Sequence, residues 1–139
     1  MKGLKVVLVV IGVLCFVSSA PGTVLPWSSL VRCAGVMGLE VPPEHPVVVY
    51  SMRLESLAFA LIGIFFLVLA SDPLRYRPML VLAVCGLFAV AAVALVAGWL
   101  IQMQPLWYLG DAAGCAVAGV LILVFWPRGA ERAAAEVAP

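Results

Sequence analysis

Residues 47–78 read VVVYSMRLESLAFALIGIFFLVLASDPLRYRP, an apolar run that carries Arg53 and Glu55 near its start and closes on a basic turn. The hydrocarbon layer of a bilayer, about 30 Å thick, calls for about 20 apolar residues in a helix, and residues 47–70 meet that length. Ionisable groups in such a segment are costly and normally partnered. Arg53 and Glu55 are therefore where a specific role is sought first.

The rest of the chain agrees with a membrane class. Of its 139 residues 65% are hydrophobic and 11% charged, against about 45–50% apolar and about 25% charged in soluble proteins. The net charge of +1 offers no basic field for nucleic acid and no acidic tail. Further spans fall at about 79–101 and 107–126, and a shorter one at about 4–20. Runs such as VLAVCGLFAVAAVALVAGWLI are apolar on every side, whereas barrel strands alternate polar and apolar residues. The expected fold is an all-α integral membrane four-helix bundle in one domain, its short loops making successive helices antiparallel neighbours.

Lys2 and Lys5, the apolar run Val6 to Val17 and then Ser18-Ser19-Ala20 have the three regions of a secretory signal peptide. Pro21 directly after the cleavage point, with no soluble domain downstream, favours a retained first helix; cleavage is the alternative. Cys15 is not a lipoprotein cysteine, because no small residue precedes it. The connector 21–46 is broken by Pro21, Gly22, Pro26, Pro42, Pro43 and Pro46. Within it, 27–39 reads as a short interfacial helix with Ser28 as its N-cap.

Lys2, Lys5, Arg75, Arg77, Arg128 and Arg132 fall on one side of these spans and Arg32 alone on the other. The positive-inside rule then makes both termini cytoplasmic. Trp99, Trp107 and Tyr108 mark the outer boundary, Tyr76 and Trp126 the inner one, and residues 128–139 form a cytoplasmic tail. In the 72–78 turn, Asp72 caps and Arg75 with Arg77 meets anionic headgroups, or alternatively a cytoplasmic partner.

This topology gathers the unusual polar groups in the outer third of the spans. Arg53, Glu55 and Asp111 share one layer, with Gln102, Gln104, Tyr108 and His45 nearby. Arg53 and Glu55, two positions apart, point roughly 200° away from each other around the helix. Arg53 continues into the small stripe Ser56, Ala60 and Gly63, while Glu55 shares a bulkier side with Phe59, Ile62 and Phe66. Arg53 is thus assigned inward and Glu55 toward headgroups or the outer loop. Asp111, flanked by Gly110 and Gly114, is the expected ion-pair partner of Arg53. Core packing is the default reading of that glycine face and homodimerisation the alternative.

Several chemistries lack their residues. Cys15, Cys33, Cys85 and Cys115 form no CxxC, and His45 is the only histidine, which excludes paired-imidazole haem ligation and an HExxH site. There is no Walker loop or GxSxG. No catalytic, cofactor-binding or metal-ligating residue is assigned. The first span has no carboxylate, which speaks against the small multidrug exporters.

The short first helix, Gly38-Leu39-Glu40 with Pro42-Pro43, the early Arg53, the turn Asp72 to Pro78 and Tyr108 to Asp111 together resemble the uncharacterised bacterial DoxX-like membrane proteins. That resemblance implies a four-helix protein of a bacterial plasma or inner membrane and no assured activity; the paired cysteines or haem ligands of an electron-transfer role are not in this chain. Two readings stand. One is a non-enzymatic structural or accessory protein, with Arg53 and Asp111 as internal glue and with the bilayer, a second copy or another membrane protein as partners. The other is a transporter or binder of a small anionic or amphiphilic ligand in an outer-leaflet pocket lined by Arg53, Asp111, Glu55, Gln102 and Tyr108.

Overall fold

The computed structural model describes residues 2–36 and 44–126. They form five helices: α1 (Lys2–Val24), α2 (Trp27–Val36), α3 (Pro46–Ser71), α4 (Arg77–Leu100) and α5 (Pro105–Val124). All but α2 are long and apolar enough to cross a membrane, as the all-α four-helix expectation requires. Only 17–22% of the most apolar stretch of each is buried. Leucines, valines and phenylalanines so widely exposed suit a lipid solvent, not water. This is a multi-pass membrane protein in contact with the bilayer. The 37–43 part of the connector, which holds the end of the expected 27–39 helix, and the tail with Arg128 and Arg132 lie outside the described residues.

Helix ends differ from the expected ones for local reasons. α1 continues four residues beyond position 20, with Pro21 inside it. A proline removes one N–H from the ladder, and membrane helices tolerate this where nearby groups re-satisfy the backbone. Ser18, Ser19 and Thr23 donate their hydroxyls to the carbonyls of Cys15, Phe16 and Ala20, so each is satisfied within its own helix. Pro26, not Ser28, starts α2: its carbonyl accepts from the Ser29 N–H at 2.9 Å, while Ser28 lies in the first turn. His45 caps α3, its Nδ1 accepting from the Val47 N–H at 3.3 Å, with Pro46 at the first helical position.

The chain divides into two compact units, Val9–Val68 and the combination of Met1–Leu8 with Leu69–Pro139. In the first of these, α1 and α3 run antiparallel and touch backbone to backbone. A Cβ built on Gly12 would lie 2.8 Å from the Gly63 carbonyl oxygen, and one on Gly63 would lie 2.8 Å from that of Gly12 and 2.9 Å from the Phe16 nitrogen. Nearer the α1 C-terminus, Ser56 fills the space beside Gly22. The stripe Arg53, Ser56, Ala60 and Gly63 is therefore the face that meets α1, and Phe66, on the bulkier side, is also buried.

In the other unit, α4 and α5 form an antiparallel hairpin. Tyr108 packs against Gly98 near the connection, and Phe88 lies 3.1 Å from a Cβ built on Gly119 further along the pair. The side of α5 turned inward carries Ala112, Gly119 and Ile122, all buried. Gly110 and Gly114, expected to be a close-contact face, look into open space. Leu4, Leu8, Leu69, Leu80 and Pro73 are fully buried in this unit, and Phe125 packs on Gly3.

Close backbone approach makes a testable contrast between glycines. Overpacking a tight contact costs about 1–3 kcal/mol, so Gly12→Ala and Gly63→Ala should each lower stability by that amount in lipid nanodiscs. Gly86→Ala and Gly114→Ala, whose added methyl meets nothing, should be neutral or slightly stabilising.

Candidate functional site

The last four carbonyls of a helix have no intrahelical partner and carry the negative end of its dipole. At the end of α1 this demand is sharpened by Pro26, which has no N–H to offer. Arg53 answers it from α3: its Nη1 donates to the Thr23 carbonyl at 2.8 Å and its Nη2 to the Leu25 carbonyl at 3.3 Å. The arginine is partly buried, and its fork spans two acceptors on consecutive parts of one helix end. A misplaced charge is thereby turned into a C-terminal cap.

The other unit repeats the device with Lys5, whose Nζ donates to the Ser71 carbonyl at 2.8 Å. This cation, from the first turns of α1, closes the C-terminus of α3. Each of these two helices thus ends on a cationic side chain supplied by the other. The sequence assigns Lys5 to the basic start of a signal-like segment and to membrane orientation, not to a helix cap. The available signal was its spacing, since an antiparallel pairing that sets Gly12 beside Gly63 brings the start of α1 to the end of α3.

The remaining candidates have separate surroundings. Glu55 is exposed on α3, facing away from the α1 contact, as its position two residues from Arg53 requires. Asp111 is exposed on α5 beside the open Gly110–Gly114 face. Tyr108 is partly buried, its ring spent on packing against Gly98. Arg53 and Glu55 belong to the Val9–Val68 unit, whereas Gln102, Tyr108 and Asp111 belong to the other.

Gln102 has a backbone role. Its φ of 52° is left-handed, and the Gln102 N–H donates to the Trp99 carbonyl at 3.1 Å while the Met103 N–H reaches the Gly98 carbonyl at 3.0 Å. These are the two bonds of a Schellman motif, with glutamine in the position glycine usually takes. Gln104, next in the connection, accepts from the Trp107 indole N–H at 3.3 Å, fixing that ring at the start of α5. An open groove of about 260 Å³ on α4 is lined by Leu95, Val96, Trp99 and Leu100 and includes none of the five candidate polar residues. Among the described residues, no group of three or more His, Cys, Asp or Glu side chains is arranged to hold a metal ion.

Comparison with family models, with curated proteins and with solved structures gives no match. The residues themselves therefore carry the functional argument.

A hydrogen bond to a charged group contributes about 1.5–3 kcal/mol when buried, and partial exposure of Arg53 reduces that. Arg53→Gln should cost about 1–2 kcal/mol of stability in nanodiscs, Arg53→Lys less, because one cationic donor remains. Glu55→Gln should change stability by under about 0.5 kcal/mol. Thermal unfolding of the three variants under one lipid composition checks the order.

Proposed function

We propose that the chain is a non-enzymatic membrane protein with a structural or accessory role, and that Arg53 serves its internal architecture. The observation that supports this reading is where the guanidinium is engaged: Nη1 and Nη2 each donate to a carbonyl of the neighbouring helix end, which holds the fork on that terminus. The tight α1–α3 contact at Gly12 and Gly63 supports it too, because that part of the pair has no space for a solute. The reading places both termini in the cytoplasm of a bacterial cell, from the Lys and Arg distribution, and groups the chain with the DoxX-like proteins it resembles. The expected Arg53–Asp111 ion pair belongs to the same proposal as a second use of the guanidinium. Transport or binding of a small anion is the competing reading.

One set of variants separates them. Wild type, Arg53→Gln, Asp111→Asn and the double variant are placed in nanodiscs and titrated with inorganic phosphate, butyrate and octyl sulfate. The accessory reading expects thermal midpoints that none of these anions changes saturably, and a coupling between the two substitutions above about 0.5 kcal/mol. A saturable rise in the wild-type midpoint that Arg53→Gln or Asp111→Asn abolishes would overturn it in favour of a binding pocket. Additive effects of the two substitutions would remove the ion pair alone.

A further inference from the structure

One end of the unit made of Met1–Leu8 and Leu69–Pro139 concentrates positive charge along a continuous set of contacts. Lys5 reaches the Ser71 carbonyl, and the next residue, Asp72, opens the turn into α4. The Asp72 carboxylate accepts the Arg75 N–H at 3.3 Å, and its carbonyl accepts the Tyr76 N–H at 3.2 Å. The Arg75 guanidinium stands over the Tyr76 ring, 5.9 Å from its centroid, and the Arg77 guanidinium stands over Trp126 at the same distance. Lys2 adds a fourth cation, one residue from Gly3, which packs on Phe125 beside Trp126. Among the described residues of this end, Asp72 is the one carboxylate, and it is occupied in shaping the turn.

The four cations are not equivalent. Lys5 is committed to the α3 carbonyl, and Arg77 is partly buried over an indole. Arg75 is exposed, and the turn that presents it is fixed by Asp72 and by the fully buried Pro73. A guanidinium held on an aromatic face keeps its edge donors available for a planar pair of acceptors, and phosphate oxygens match that fork. Tyrosine and tryptophan rings favour the headgroup level of a bilayer. Rigid presentation, aromatic anchoring and surplus positive charge beside membrane-spanning helices define the chemistry of the partner.

We propose that this end is a docking surface for the phosphate of an anionic phospholipid headgroup, with Arg75 as the principal ligand and Lys2 and Arg77 as supporting charges. It goes beyond general attraction to an acidic leaflet, because it assigns one lipid site to one arginine. The proposal is independent of whether the chain is an accessory protein or a binder of small anions.

The test uses the full chain in nanodiscs containing equal amounts of phosphatidylglycerol and phosphatidylcholine, extracted into mild detergent and read by native mass spectrometry. Wild type should retain phosphatidylglycerol severalfold over phosphatidylcholine. One basic residue at an anionic surface contributes about a fivefold preference, so Arg75→Gln should reduce the enrichment about fivefold and Arg75→Lys less. Arg32→Gln, a cation of the other unit, should leave the enrichment unchanged. The thermal midpoint of each variant, measured in parallel, shows whether folding is intact. Equal retention of the two lipids by wild type, or enrichment that survives Arg75→Gln in a folded protein, would overturn the proposal.

Discussion

Two backbones in contact at Gly12 and Gly63 set the terms for this fold. In lipid there is no hydrophobic force to bring helices together, so association depends on close packing and on polar groups finding partners. A side chain at either glycine would meet a carbonyl oxygen of the other helix, which cannot rotate away as a flexible side chain could. The α1–α3 pair therefore approaches at a distance that no other residue type permits. From that crossing, antiparallel geometry determines which groups meet further along: Ser56 with Gly22, and Arg53 with the end of α1.

The cations complete what the glycines begin. Helix termini in a bilayer are the places where backbone groups are left without partners, and a C-terminus also carries partial negative charge. Arg53 on the Thr23 and Leu25 carbonyls, and Lys5 on the Ser71 carbonyl, supply donors and opposite charge together. Both cations come from near the start of a helix and so are carried to the end of its antiparallel neighbour. Arg53 is thus seen as the cap of a neighbouring helix end, and the turn presents an exposed Arg75 over the Tyr76 ring.

Length and apolar composition made the membrane helices legible, because a bilayer imposes a minimum span and leaves its signature over every residue of it. The inward direction of Arg53, Ser56, Ala60 and Gly63 was equally readable from helical period and residue size. What the chain hid was the identity of partners. A backbone carbonyl is common to all residues, so no spacing rule marks Thr23 and Leu25 as acceptors for Arg53. Gly12 lies in a run of apolar residues where any small side chain looks alike. Pro21 reads as a helix breaker by rules for water, and the helix nonetheless passes through it. Gln102 carries a polar side chain that suggested a pocket, while its observed contribution is a left-handed backbone turn.

The close antiparallel crossing of α1 and α3 is read directly by disulfide formation. With the native cysteines replaced by alanine, Ser19→Cys is combined with Ala60→Cys, which lie one antiparallel turn along from the Phe16–Gly63 contact on the two facing stripes and leave both glycines in place. A control combines Ala60→Cys with Val17→Cys, which is 60% exposed on α1. Oxidation in membranes should close the first pair within the monomer and leave the second open. An absent bond at 19 and 60, or equal bonding at 17 and 60, would contradict the crossing.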